Sequence, residues 1–205
     1  TPMEVLPHAL HSRARELNAI LKAYDAMDAG IDSVAALEVD RRRAAMPESA
    51  QRVFDSDNER WSGYSHGTAV ADVALAGNDR AEILIARMEW WHGSPPVPCW
   101  TRELAHAEAA AMQDQLDWLV ANGARVVNMS WGRFARSYRR NLEACAPGMP
   151  DSARVALARF TVDTIRAVLK AGMAASPQVL FVGAAGNDGS SVERSNPATR
   201  FALPN

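Results

Sequence analysis

The chain has 205 residues, 48% of them hydrophobic and 22% charged, ordinary proportions for one globular domain able to bury a core without staples. A net charge of -2 and a pI near 6.2 exclude the basic footprint expected of a nucleic-acid or membrane-surface binder. No apolar run approaches the ~18 residues that span a bilayer, so neither nucleic acid nor membrane is expected as a partner.

In chain order, Leu10, Leu17, Leu21 and Tyr24 recur at helical steps, and Gly30 supplies a stop. An arginine-rich helix follows from about Ser33 to Ala45, closed by Pro47, and polar, turn-forming residues fill Asp55 to Gly63. A small-residue helix is predicted from His66 to Ala76, then a buried strand at Ile83-Leu84-Ile85-Ala86. Beyond a proline-rich loop, Leu104, Met112, Leu116, Leu119 and Val120 mark a helix that Gly123 closes, and Arg125 to Met129 reads as the next strand. Gly132 to Pro150 reads as a surface insertion. Asp151 or Ser152 then caps a helix striped by Val155, Ala158, Val162, Ile165 and Leu169, which Gly172 ends before a strand over Val179 to Val182. The clusters Arg41 to Arg43 and Arg136, Arg139, Arg140 read as solvated faces.

This alternation predicts an α/β fold, a mostly parallel sheet with helices on both faces. Residues 1–60 form an N-terminal helical segment and 61–205 the core of the same domain. Ligands of such sheets bind beyond the carboxyl ends of the strands. That directs attention to Ser130-Trp131-Gly132, to Gly183-Ala184-Ala185-Gly186-Asn187, and to the helix opening at His66. A histidine in a helix's first turn faces the positive end of the macrodipole, which favours a neutral imidazole able to act as a base. The Asn187 amide could donate to a developing oxyanion, although a glycine-rich turn explains the same residues. The Ser130 segment offers a strand edge that an extended peptide could join.

Three segments, in order, resemble motifs of the subtilisin-like serine peptidases. Ser65-His66-Gly67-Thr68-Ala69-Val70-Ala71 is similar to the family's His-Gly-Thr-His-Val-Ala-Gly. Val126 to Gly132 resembles its Asn-Met-Ser-Leu-Gly strand, and Gly183 to Gly189 its Ala-Ala-Gly-Asn segment. Asn196-Pro197-Ala198 resembles the Tyr-Pro-Ala turn that follows. The resemblance implies hydrolysis of peptide bonds in a protein or peptide substrate by an Asp-His-Ser triad. His66 would be the general base and Asn187 the oxyanion donor. Ser130, Trp131 and Gly132 would pair with substrate backbone, and Ala184, Ala185 and Gly186 would wall the first specificity pocket. Ala69 stands where the family has a second histidine, Asp72 where it has a glycine, and Trp131 where it has a smaller residue.

The family aspartate ends an apolar strand. The nearest counterpart, Met27-Asp28-Ala29-Gly30-Ile31, closes a helix instead, so the aspartate is expected upstream of Thr1, with Asp28 the candidate within the chain. No Gly-Thr-Ser-Met-Ala occurs, and Ser190, Ser191 and Ser195 precede no helical pattern, so a partial catalytic domain, inactive alone, is expected. No cofactor is expected. Calcium is common in the family, yet no metal-ligand set is identifiable, and Asp55 and Asp57 read as surface or ion-binding residues. A secreted or periplasmic origin is implied. Cys99 and Cys145 lack metal or redox spacing and could pair in such a compartment. The alternatives are a non-catalytic binding module on the same fold and a nucleotide-binding α/β domain. The second is disfavoured because no helix pattern follows Gly189 to receive a phosphate.

Overall fold

The computed structural model describes residues 6–87 and 98–185, and these fall into two compact units. Residues 6–81 make up the first. Its helices are α1 (His8–Ser12), α2 (Ala14–Asp28), α3 (Val34–Ala44) and α4 (Glu48–Leu75). Residues 82–87 and 98–185 make up the second, with α5 (Arg102–Ala121), β1 (Val126–Met129), α6 (Ala135–Cys145), α7 (Asp151–Ala174) and β2 (Leu180–Gly183).

Helix accounts for 67% of the described residues, and two four-residue strands are the whole of the sheet among them. The predicted fold class, a mostly parallel sheet covered on both faces, is therefore overturned. The physical reason lies in two stretches. Ile83 to Ala86, predicted as a buried strand, finds no ladder partner among the described residues and leaves Ile85 73% exposed. Asp55 to Gly63, predicted as turns, continues α4, because no proline interrupts the chain from Glu48 to Leu75 and its polar side chains are used elsewhere. Asp57 pairs with Arg13 at 2.6 Å, Asp55 with Arg43 at 2.6 Å, and Asn58 donates back to the Phe54 carbonyl. The division at residues 60 and 61 falls inside this helix.

In the first unit Leu6, Leu10, Leu17 and Trp61 form the core, and the Trp61 indole donates to Asn18 Oδ1 at 2.7 Å, tying α4 to α2. The predicted stop at Gly30 is present. Gly30 has φ +69°, its N–H reaches the Met27 carbonyl, and the N–H of Ile31 reaches Ala26. These two hydrogen bonds, from a left-handed glycine and the residue after it, satisfy carbonyls of the last turn of α2. Gly123 ends α5 in the same way, with φ +82° and bonds from Gly123 to Val120 and from Ala124 to Leu119.

In the second unit α7 packs against both α5 and α6. Ala105, Ala109, Met112 and Leu116 of α5 and Ala158, Val162, Ile165 and Leu169 of α7 are buried at helical spacing. Gly172 does not end α7 but sits inside it, where a methyl group would run into the Leu116 side chain. Pro150, not Asp151 or Ser152, holds the N-cap position, and Asp151 instead meets Arg139 at 3.2 Å. The predicted insertion contains α6, whose Tyr138 and Leu142 are buried one turn apart. β1 and β2 pair in parallel with Val126 opposite Leu180 and Met129 opposite Gly183. Val127 and Met129 face inward, whereas Val126, Leu180 and Val182 are exposed, so among the described residues no element packs over the other face of the pair.

Cys99 and Cys145 form a disulfide with a Cα–Cα distance of 5.4 Å, closing a loop across 46 positions and fastening the segment before α5 to the end of α6. Beside it Trp100 donates its indole N–H to Thr161 Oγ1 and its amide to Asn141 Oδ1, each at 2.9 Å, and its ring lies 4.7 Å from Tyr138. Chain-entropy arguments give a loop of this size roughly 4 kcal/mol of stabilisation. Melting the oxidised chain beside a Cys99→Ser/Cys145→Ser variant should show a loss of about that order, and superimposable melts would contradict it.

Candidate functional site

The parallel pairing of β1 with β2 has one direct consequence for the motifs. Their carboxyl ends lie side by side, and the amide of Ala184 bonds the carbonyl of Met129 at 3.2 Å. Ser130-Trp131-Gly132 and Ala184-Ala185 therefore leave the same end of the pair. Asn128 donates its side-chain amide to Ser130 Oγ at 2.9 Å, which holds the serine at the strand exit. Gly186 and Asn187 lie outside the described residues.

Around this strand exit stand residues that the sequence did not single out. Glu108, on α5, accepts the Tyr138 hydroxyl on Oε2 at 2.8 Å and the Arg133 Nε–H on Oε1. Arg133 also donates to the Gly132 carbonyl at 3.4 Å, and its guanidinium lies 5.5 Å from the centre of the Trp131 ring. Burial, with the Glu108 carboxylate beside it, pushes the Tyr138 phenol far above its ordinary value, so it remains a donor. The available signal was the four-residue step from Phe134 through Tyr138 to Leu142, a helical stripe inside what was read as an insertion.

Asp28 and His66 belong to the first unit. Asp28 is the last residue of α2, not the end of a strand. His66 is an exposed residue deep within α4, so the first-turn setting predicted for it is not found. A macrodipole is felt only across the first or last turn, and His66 lies outside both. Gly67 meets no close backbone, since a Cβ added there has nothing within 4 Å. Ser65 Oγ donates to the Trp61 carbonyl at 2.8 Å, the usual back-bond of a helical serine. Ala69 and Asp72 are exposed.

Asp55 and Asp57 serve as ion-pair partners of arginines, and no group of three or more His, Cys, Asp or Glu able to hold a metal occurs among the described residues. A hollow in the second unit is lined by Ile85, Ala86, Asp114, Gln115 and Trp118, none of them from the three motifs.

Two of the three motif segments thus leave the same end of one parallel strand pair. The model of the subtilase family matches residues 28–200, and the chain belongs to that family. Serine-peptidase function is established at family level, which sets aside the nucleotide-binding reading. No curated protein and no solved structure matches the chain. No described helix is long and apolar enough to cross a membrane.

Hydrogen bonds from Arg13 and then Arg42 hold Glu16 below the usual carboxylate range, and Arg43 does the same for Asp55. Depressed carboxylates add stability above their unfolded pKa, near 4, that is lost as pH falls through the folded value. Acid titration of helical content should therefore show a loss from about pH 4 downward that is smaller in a Glu16→Gln/Asp55→Asn variant. An identical profile in the variant would count against these pairs.

Proposed function

We infer that the chain supplies the substrate-pairing and general-base portion of a serine endopeptidase that cleaves proteins or peptides. The observation that carries the reading is the register of β1 and β2, which sets Ser130-Trp131-Gly132 next to Ala184-Ala185 at the strand exits. In this reading an extended substrate lies along Ser130 to Gly132, exchanging backbone hydrogen bonds, while Ala184, Ala185 and Gly186 wall the pocket for one side chain. His66 takes the proton of the attacking serine hydroxyl and returns it to the leaving amine, and the Asn187 amide stabilises the tetrahedral oxyanion. Asp28, where the family match begins, is the aspartate candidate within these residues, and orienting the imidazole would be its role.

The nucleophile is not among the 205 residues, which contain no Gly-Thr-Ser sequence. In this reading the chain binds peptide without cleaving it. The Cys99–Cys145 disulfide suits an oxidising compartment and supports a secreted or periplasmic location.

The chain should remain unlabelled by a serine-directed phosphonate, and stoichiometric labelling would overturn the assignment of a missing nucleophile. Gly132→Pro removes an N–H from the pairing edge. It should weaken binding of an extended peptide by about 10-fold, the equivalent of one backbone hydrogen bond. Undiminished binding would contradict strand pairing there.

A further inference from the structure

We propose that the Cys99–Cys145 disulfide is a reducible latch, which a dithiol opens while α5, α6 and α7 stay packed, so that the Cys99–Trp100 segment swings away from α6 and α7. The inference does not depend on the peptidase reading. It gives the disulfide a role beyond stabilising the oxidised chain.

Both cysteines are exposed residues, and exposed disulfides are the ones that exchange readily with thiols. The two ends of the latch are held very differently. On the Cys145 side, α6 is fixed to α7 without help from the sulfur, through the buried Tyr138 and Leu142. Just past the helix end, Arg154 of α7 donates through Nη2 to the carbonyls of Ala146 at 3.3 Å and Pro147 at 2.7 Å. On the Cys99 side, residues 98–101 belong to no helix or strand. Beside the disulfide, Trp100 ties this segment down, through its bonds to Thr161 Oγ1 and Asn141 Oδ1 and its ring contact with Tyr138. With the sulfur bond closed, Trp100 is confined next to its partners and those contacts form at little further entropy cost. Once the bond is open, the same contacts must order the segment unaided. Their loss leaves little uncompensated. Thr161 Oγ1 also donates to the Leu157 carbonyl at 2.9 Å and keeps that bond when the indole departs. Trp100 is already partly exposed, so water takes over its N–H groups at a small net cost. The helix beyond stays docked, because Ala105 is buried and Arg102 lies 4.1 Å from the Phe160 ring centre on α7. The hinge is Thr101, the N-cap residue of α5.

The chemistry is thiol–disulfide exchange. One thiolate of the dithiol attacks a cysteine sulfur, breaking the S–S bond and forming a mixed disulfide, and its second thiol then closes on the first and expels the protein sulfur. The dithiol supplies two electrons and two protons and ends as a disulfide, while Cys99 and Cys145 end as thiols.

The test uses the 205-residue chain labelled with fluorotryptophan, its Trp100 fluorine resonance assigned through Trp100→Phe, with dithiothreitol as the dithiol. Well below the melting temperature, dithiothreitol should open both cysteines to alkylation by iodoacetamide without loss of the helical circular dichroism. In the reduced, unalkylated chain the Trp100 resonance should move towards that of free fluorotryptophan while those of Trp61 and Trp118 stay in place. Oxidised dithiothreitol should return it to its first position. Cysteines that react only as the helical signal is lost overturn the proposal, and so does a Trp100 resonance that stays put in the reduced, folded chain. The Cys99→Ser/Cys145→Ser variant should show the open position with no reductant present, and the closed position there also overturns the latch. If that variant does not fold, the reduced native chain decides alone.

Discussion

A parallel strand pair cannot be closed by a tight turn, because the chain must return to the same end before the second strand begins. Here the return runs through α6 and α7, and α7 packs against α5 along a continuous apolar stripe. This crossover lets the two strands run in parallel, and their register places Met129 opposite Gly183. It makes two segments separated by some fifty residues in sequence leave one edge together. The proposed pairing of a peptide in the second unit depends on that juxtaposition. Ser130, Trp131 and Gly132 matter because Ala184 and Ala185 emerge beside them.

The crossover is reinforced at its corner. The Cys99–Cys145 disulfide and the Trp100 indole pin the entry to α5 against α6 and α7, and Glu108 then ties α5 to Arg133 and Tyr138. The disulfide, the partly buried Trp100 and the largely buried Glu108–Arg133 pair thus all bear on α5 and α6 or on residues next to them. In the first unit charge is used differently. Arg13, Glu16, Arg42, Arg43, Asp55 and Asp57 form exposed or half-exposed pairs over a small core around Leu17 and Trp61, and each such pair adds little by itself.

How much of this was legible in the residues depended on how local the signal was. α5 and α7 were readable because their apolar stripes run over several turns, and Gly30 and Gly123 because a left-handed glycine after a helix has few other uses. The β1 and β2 strands were readable as short apolar runs followed by small residues. What failed was the inference from such a run to a strand at Ile83 to Ala86. A strand exists only with a neighbour, and a single sequence does not name one. The polar stretch from Asp55 to Gly63 was misread for the complementary reason. Its carboxylates look like turn chemistry until Arg13 and Arg43, remote in sequence, are seen to occupy them. The motifs of the subtilase family were legible throughout, whereas Glu108 was not, because a lone glutamate on a helix has no pattern before its partners are known.

The peptidase reading requires His66 and Asn187 to act on one and the same peptide bond. The most direct measurement is a distance between nitroxide labels carried by His66→Cys and Asn187→Cys, with the native disulfide intact. A single, short and narrow distance distribution, tightened further by an extended peptide, is the predicted result. A long or broad distribution indifferent to peptide would contradict the assignment of these two residues to one peptidase site.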